Sequence, residues 1–317
     1  MARYIIGRVA QALLVLWAAF TVTWIVLYEL PGNPVQLLLG GGLGGVSAAS
    51  PAQIAAVKKQ YGLDKPLPVQ YLHELWNVLN LNFGTSISQG GRPVSNILAE
   101  NLPPTLQLAG LAVLITIVVA VVLAFVATFV RAAWLRSFLV RLPAFGRAFP
   151  TFWIGMLLIQ VFSFDWHLLP AVGDQGFDSV ILPSITMSLP WAFYLAQILI
   201  RGMSDVLDEP YIVTARARGE SRLRIHVRHV LPNAALPTLT MLGLIVCWTV
   251  TEAVIAETVF GRPGLGSAIQ QAVQWQDIPT VQAVVLLAAL LFVTVNLIVD
   301  LLYPLLDPRV THVPTTL

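Results

Sequence analysis

Few residues of this chain have the types and spacing that catalysis requires. His73-Glu74-Leu75-Trp76-Asn77 begins like a zinc-protease helix, but Asn77 stands where the second histidine ligand is needed. Gly84-Thr85-Ser86 falls in a predicted loop, and no histidine is placed to activate that serine. The glycine-rich stretches lack the Lys-Ser/Thr pair of a phosphate-binding loop, so the chain cannot bind ATP in that way. We therefore predict that the chain is not an enzyme and has no catalytic residue.

Metal and nucleic-acid chemistry are also disfavoured. Cys247 is the single cysteine, so neither an internal disulfide nor a cysteine metal cluster can form. His226 and His229 fall in a predicted inner loop, and the predicted membrane spans hold no cysteine–histidine cluster. The net charge of +2 does not suggest nucleic acid. We expect no metal, no cofactor and no nucleic-acid partner for this chain.

Glu252 and Glu257 are the acids that fall well inside a predicted membrane span. Intramembrane acids are functional candidates by default, because burying a charge in lipid is costly. Glu252 is the deeper of the two, about 21 Å above the inner end of its span at about 1.5 Å per residue. It is a candidate for lining a substrate path. For Glu257 the alternative is a structural pair with Arg262.

The elements that must position these residues are membrane helices. Of the 317 residues, 57% are hydrophobic and 11% are charged, whereas soluble domains carry about 25% charged residues. The uncharged runs are long enough to cross a bilayer, which needs about 20 apolar residues. We predict an all-α membrane protein with six transmembrane helices, at about 9–29, 104–130, 146–164, 181–200, 237–258 and 280–303. Pro183 and Pro190 predict a kink or an interrupted start in the fourth.

The distribution of positive charge predicts the orientation. With both termini cytoplasmic, 13 of the 18 Lys and Arg residues lie inside, which is the bias that inner loops show. The first span lacks a cleavage site and is predicted to be a retained anchor rather than a signal peptide. The predicted organisation is an N-terminal transmembrane helix (1–30), an extracytoplasmic loop subdomain (31–103), a five-helix transmembrane domain (104–306) with an inner loop (201–236), and a cytoplasmic tail (307–317).

The inner loop between the fourth and fifth spans has a distinctive layout. Pro210 suits the first turn of a helix over Tyr211–Arg218, and Gly219 is a natural stop. Ser221 can cap a second helix over 222–230. We expect Gly219 to allow a tight bend that a side chain would splay apart. Two short helices held between two spans form a rigid protrusion that can transmit a push.

This loop resembles the coupling loop of ABC importer permeases. The general pattern is E-A-A, three residues, G, nine residues, then I-x-L-P; Val213-Thr214-Ala215 takes the E-A-A positions, and His229 replaces the isoleucine. The dipeptide/oligopeptide version, T-A-R-A-K-G followed by R-H-x-L-x-N-A-x-x-P, matches Thr214–Gly219 and Arg228–Pro237 more closely. Further segments resemble the same branch, in order along the chain: 31–34, 62–71, 82–86, 257–266 and 300–309. The stretch 130–150 matches poorly.

The chain is thus similar to B-type permease subunits of dipeptide/oligopeptide ABC importers. The resemblance implies peptide uptake through a pore shared with a second homologous permease, two ABC ATPase subunits and an extracytoplasmic substrate-binding protein. It assigns coupling to the ATPase to Thr214, Ala215, Arg216, Ala217, Arg218, Gly219, Glu220 and Ser221. Relatives of this branch that carry nickel, glutathione or haem are the alternative. Secondary transporters usually have more spans and repeated halves, and a membrane enzyme, receptor or scaffold is a further rival class.

Overall fold

The computed structural model describes residues 2–29, 65–86, 88–146, 148–174 and 176–306. Within these ranges the chain is helical apart from connecting turns and an isolated antiparallel bridge between Thr85 and Pro93. The resembling segment 31–34 and the predicted tail at 307–317 lie outside the described residues, as does the stretch 51–61, which the sequence also predicts to be helical.

Eleven helices follow one another along the described chain. They are α1 (Ala2–Glu29), α2 (Leu67–Leu79), α3 (Val94–Phe129), α4 (Ala133–Gly146), α5 (Thr151–Leu158), α6 (Asp178–Leu207), α7 (Pro210–Ala217), α8 (Arg222–Ile225), α9 (Leu231–Val259), α10 (Leu265–Gln274) and α11 (Ile278–Leu306). A π-helical turn, Ile159–Asp165, extends α5, and another, His226–Val230, joins α8 to α9.

Five of these helices, namely α1, α3, α6, α9 and α11, are long and apolar enough to cross a membrane. A sixth span exists if α4 and the helical segment Thr151–Asp165 are counted together, although they are bent by 107°. The predicted all-helical membrane architecture is therefore confirmed. The third span, predicted at 146–164, corresponds to the second arm of this pair, Thr151–Asp165.

The start of α3 differs from the prediction. The helix begins at Val94, ten residues before the predicted start, and continues through Pro103 and Pro104. The sequence suggested a later start because Glu100 interrupts the uncharged run. The extra turns are held by packing, since Val94 and Leu98 are buried in a cluster with Leu265 of α10 and Val284 of α11.

Prolines in the other spans also fail to end helices. α6 runs without interruption through Pro183 and Pro190, so the predicted interrupted start is wrong. The predicted gap between a helix at 222–230 and a span from 237 is also absent, because helical backbone continues from Arg222 to Val259. Pro232 cannot donate to the carbonyl of Arg228, and the π-helical turn His226–Val230 immediately precedes this defect.

The chain divides into two compact units, and the first comprises Met1–Pro104 with Pro263–Val293. Its α2 lies on α1, where Tyr71 contacts Phe20 and Trp24 and the Tyr71 hydroxyl lies 2.8 Å from Thr21 Oγ1. The opposite side of α2 exposes Leu72, Trp76 and Leu79. A buried carboxylate, Asp277, holds the turn that precedes α3 by accepting hydrogen bonds from the Ser86 and Ser88 hydroxyls.

The second unit comprises Thr105–Arg262 with Thr294–Leu317 and contains the inner loop. Its helices approach closely because small residues lie at their contacts. Ala112 of α3 and Ala253 of α9 are fully buried in one cluster with Met187 of α6. A Cβ at Gly155 would lie 3.1 Å from the Thr186 methyl group, so α5 also packs tightly on α6.

Candidate functional site

The short helix α7 has one buried face and one exposed face. Ile212 and Ala215 are buried in a core that also holds Ala127 of α3, Met203 of α6 and Ile225 of α8. Tyr211 and Val213 are exposed, as are the polar side chains that follow them. Because the buried face reaches three neighbouring helices, a displacement of α7 must displace their ends as well.

The turn after α7 is a glycine cap. Gly219 has φ +80°, which is the left-handed conformation that glycine adopts without strain. Its N–H donates to the Arg216 carbonyl at 3.0 Å, and the Glu220 N–H donates to the Ala215 carbonyl at 3.2 Å. This pair of bonds is the Schellman arrangement. A Cβ at Gly219 would meet nothing within 4 Å, so the expectation of crowding is wrong and the requirement for glycine comes from φ.

Three contacts attach this turn to the helices that follow it. Ser221 caps α8, as predicted, by accepting a hydrogen bond from the Arg224 N–H at 3.3 Å. Glu220 Oε2 lies 3.0 Å from His229 Nε2, and both side chains are about three-quarters buried. Asn233 of α9 donates to the Tyr211 hydroxyl at 3.4 Å. The loop is therefore cross-linked to the N-terminal end of α9.

The α8 segment is also anchored to the end of α3. His226 is buried, and its ring lies edge-on to Phe125 and Phe129 at centroid distances of 5.6 and 5.2 Å. The Arg222 guanidinium lies 4.9 Å above the Phe129 ring and donates to the Thr128 carbonyl at 3.4 Å. The inner loop thus contacts α3, α6 and α9, which are three of the helices that could span the membrane.

The structure separates the predicted coupling residues into two groups. The exposed ones, which a partner could reach, are Thr214, Arg216, Ala217, Arg218, Gly219 and Ser221. Ala215 is buried and the Glu220 side chain is about three-quarters buried, so these two position the loop rather than present a surface. Tyr211, which the motif does not include, joins the site through the hydrogen bond that it accepts from the motif residue Asn233.

Glu252 joins three helices of the second unit. Its carboxylate accepts a hydrogen bond from Thr151 Oγ1 of α5 at 2.5 Å and another from Trp191 Nε1 of α6 at 2.6 Å. The residue is half-buried on α9. Both donors are long-range, so nothing in the sequence near Glu252 indicates them. Its role in a substrate path stays a prediction.

Glu257 is the more deeply buried acid, with 1% of its surface exposed. Its Oε1 accepts a hydrogen bond from Thr105 Oγ1 of α3 at 2.5 Å. The Arg262 side chain forms a salt bridge to Asp174 at 3.0 Å and a hydrogen bond to Ser179. The ion-pair partner of Arg262 is thus Asp174, which lies in the turn before α6 and which the sequence did not suggest.

Comparisons with known proteins identify the family. Residues 116–312 match the binding-protein-dependent transport system inner membrane component, and residues 1–109 match its N-terminal component. The chain therefore belongs to the binding-protein-dependent transport system inner membrane components. It is a multi-pass inner-membrane protein, and the family predicted from the inner-loop motif is confirmed.

Curated relatives match the chain over nearly its whole length. A putative peptide transport system permease protein of Brucella abortus is 35% identical over 320 residues, which cover 98% of this chain and 100% of that protein. The glutathione transport system permease protein GsiC of Salmonella typhimurium is 35% identical over 312 residues, with the same coverage of both chains.

Solved structures share the fold at low sequence identity. A chain of an amino acid ABC transporter superposes with TM-score 0.53 at 17% identity, covering 66% of this chain and 94% of that one. A chain of the MetNI methionine ABC transporter in inward-facing form gives TM-score 0.51 at 16% identity, covering 68% and 94%. The chain therefore shares its fold with these chains of ABC transporters.

Proposed function

We propose that this chain is the transmembrane permease subunit of an ATP-driven importer of di- and oligopeptides and forms half of its pore. The observation that carries the proposal is the seating of α7, whose buried face reaches three helices while its other face is open to a partner. The chain itself carries out no chemical step. Two separate ABC ATPase subunits supply the energy, and a second homologous permease completes the pore in the lipid bilayer.

The connections of the loop suggest how it transmits force. Asp208 and Glu209 alone separate α6 from α7, and the Glu220–His229 contact ties the glycine turn to the start of α9. ATP binding closes the two ATPases, and each displaces the loop that lies in its groove. A rigid, cross-linked loop passes this displacement to α6 and α9. The pore then opens outward toward a substrate-loaded extracytoplasmic binding protein.

The names of the relatives support a peptide as the substrate. One relative is described as a peptide transport permease and another as a glutathione transport permease, and glutathione is itself a small peptide. In this design the binding protein selects the ligand, so the pore can be permissive. Nickel and haem remain the alternative substrates. Glu252 is the candidate for contact with a peptide's amino terminus, because it is half-buried among the spans.

The exposed face of α2 is the proposed docking surface for the binding protein. Leu72, Trp76 and Leu79 form an outward stripe on a helix whose other side is fixed by Tyr71. Aromatic residues such as tryptophan are enriched at protein interfaces. Tyr71, in contrast, is a packing residue and does not contribute to such a surface.

We predict that the α2 region lies outside and the α7–α8 loop lies inside. Single cysteines at Gln89 and at Arg224, both exposed, are placed in a Cys247→Ser background, in which the buried native thiol is removed. An impermeant thiol reagent added to intact cells is expected to label the first and spare the second. Labelling of both cysteines from one side would exclude this topology.

Affinity purification of the tagged chain tests whether it works as one subunit of an importer. The second permease and an ATPase subunit are expected to copurify with it in mild detergent. The exposed Val213 side chain offers a site for a disruptive variant, since Val213→Asp adds charge to the exposed face of α7 without altering its buried face. This variant is expected to lose the ATPase and keep the second permease. An intact chain that purifies alone and transports solute would instead indicate a secondary transporter.

A further inference from the structure

Four arginines belong to segments that meet around one core at the C-terminal end of α3, where α3, α4, α7 and α8 pack together. Arg131 follows α3, Arg136 lies in α4, Arg216 lies in α7 and Arg222 begins α8; we call them the arginine cluster. Burial lowers the pKa of Arg222, and the positive charges of Arg131, Arg216 and Arg136 lower it further. Each of the three is therefore close enough to repel the Arg222 guanidinium.

The part of the chain that the structure describes supplies no counter-charge for this cluster. The salt bridges found there join Arg92 to Glu100, His229 to Glu220 and Arg262 to Asp174, and none includes a cluster arginine. Arg222 is held in place all the same by the Phe129 ring and the Thr128 carbonyl. Like charges held together in this way favour an anionic ligand.

The helix beside the cluster has the surface of an interfacial element. One face of α4 packs on other helices of the second unit through Leu139, Pro143 and Gly146. A Cβ at Gly146 would lie 2.2 Å from the Phe193 ring of α6. The other face exposes the aromatic stripe, defined as Trp134 (74% exposed), Phe138 (57%) and Phe145 (66%). These three residues recur at helical spacing and so lie on one side.

The position of α4 places this stripe at the membrane surface. α4 follows the end of the apolar helix α3 and is bent by 107° from the segment Thr151–Asp165. In the six-span topology Thr151–Asp165 is the crossing arm, and a helix bent from it by 107° lies close to the membrane plane. Aromatic side chains are favoured at the headgroup level, where one end of the ring is apolar and the other is wet.

We propose that the arginine cluster binds the phosphate of an anionic phospholipid whose acyl chains lie along the aromatic stripe. The planar guanidinium group forms paired hydrogen bonds to phosphate oxygens, and the anion offsets the repulsion within the cluster. This inference rests on the proposed function in one respect, because the proposed orientation of the chain places the lipid in the cytoplasmic leaflet. The ATPase proposed to meet the exposed face of α7, which includes Arg216, is the less suitable occupant of the Arg131–Arg136 side of the cluster, because that side begins directly where the apolar span ends and continues into an aromatic face.

Lipid titration of the purified, delipidated full-length chain tests this site. Bound dioctanoyl-phosphatidylglycerol is counted by native mass spectrometry, with dioctanoyl-phosphatidylcholine and inorganic phosphate as the comparison ligands. Phosphatidylglycerol is expected to bind at least about tenfold more tightly than phosphatidylcholine, since each arginine near the surface favours an anionic lipid. The Arg131→Gln/Arg136→Gln variant is expected to weaken phosphatidylglycerol binding by about 30-fold.

Two further variants make the result specific to the cluster. Arg201→Gln/Arg228→Gln removes two exposed arginines of the same inner region that do not affect Arg222, and binding is expected to persist. Arg131→Lys/Arg136→Lys keeps the charge and is expected to retain most of the binding, which also controls for loss of the fold.

Four results would overturn the proposal. The first is equal binding of phosphatidylglycerol and phosphatidylcholine, and the second is binding of inorganic phosphate as tight as that of phosphatidylglycerol. The third is a loss of phosphatidylglycerol binding in Arg201→Gln/Arg228→Gln equal to the loss in Arg131→Gln/Arg136→Gln. The fourth is unchanged lipid binding in Arg131→Gln/Arg136→Gln when this variant no longer copurifies with an ATPase subunit. The second result would assign the cluster to a free anion, and the last would assign it to a protein partner.

Discussion

Replacing Gly219 with valine is expected to lower substrate uptake and substrate-stimulated ATP hydrolysis together, by about 5- to 30-fold. Gly219 has φ +80°, and a side chain in this left-handed region costs about 1–2 kcal/mol. That energy corresponds to a factor of about 5–30 between two conformations. The strain falls on the turn that ties α7 to α8, so the docked form of the loop is depopulated while the membrane helices remain.

The measurement uses the assembled importer in proteoliposomes, with the amount of each subunit determined by immunoblot. Gly219→Asn is the graded variant, because asparagine tolerates the left-handed region better than valine does, and it is expected to retain more activity. Gly91→Val is the matched control. Gly91 has φ +83° and, like Gly219, has open space around it, but it lies in the turn before α3.

Gly91→Val should keep uptake near the level of the unmodified chain if the inner turn is the coupling element. Equal losses of uptake in Gly91→Val and Gly219→Val would show that general backbone strain, rather than a coupling role of the inner turn, causes the effect. Unchanged uptake in Gly219→Val, with the protein present in the membrane, would remove this turn from the mechanism.

The inner loop shows how far local sequence determines local structure. Pro210, Gly219 and Ser221 act through their own backbone or through neighbours a few residues away, so their roles could be predicted from sequence. The reason for Gly219 was predicted less well. Crowding and positive φ both favour glycine, and only the surrounding structure shows that the space beside Gly219 is open.

Helix boundaries were predicted less accurately, because tertiary packing extends helices beyond their apolar runs. α3 begins before Glu100, which is exposed and paired with Arg92, since Val94 and Leu98 are buried against other helices. The prediction took the start of this helix from the beginning of an uncharged run, so it could not place a charged residue such as Glu100 inside the helix. The uncharged-run criterion also gave no indication of the sharp bend between α4 and Thr151–Asp165.

Contacts between distant segments were beyond the reach of the sequence. Thr151 and Trp191, the hydrogen-bond donors to Glu252, come from different helices, and no spacing rule connects them. The arginine cluster likewise combines Arg131 with Arg222, which the sequence shows only as scattered positive charges of inner loops. Such clusters depend on how the helices pack, and they are visible only once the fold is known.

The central claim is that this chain admits peptides to the cell as part of an ATP-driven importer. Its deletion is therefore expected to abolish a transport activity outright, an effect larger than that of any single substitution. The family shared with peptide and glutathione transport permeases, together with the exposed and cross-linked α7, supports this expectation. Because the pore cannot form without one of its halves, no residual import through this system should remain.

Uptake of labelled di- to oligopeptides, compared between cells that lack this chain and cells in which it is restored, is the most direct measurement. The deletion strain is expected to lose energy-dependent peptide uptake, and the restored strain is expected to regain it. The Gly219→Val chain, expressed at the same level, should restore it only weakly. Normal peptide uptake in the deletion strain would contradict the assignment, and a simultaneous failure to import nickel or haem would identify the cargo that replaces peptides.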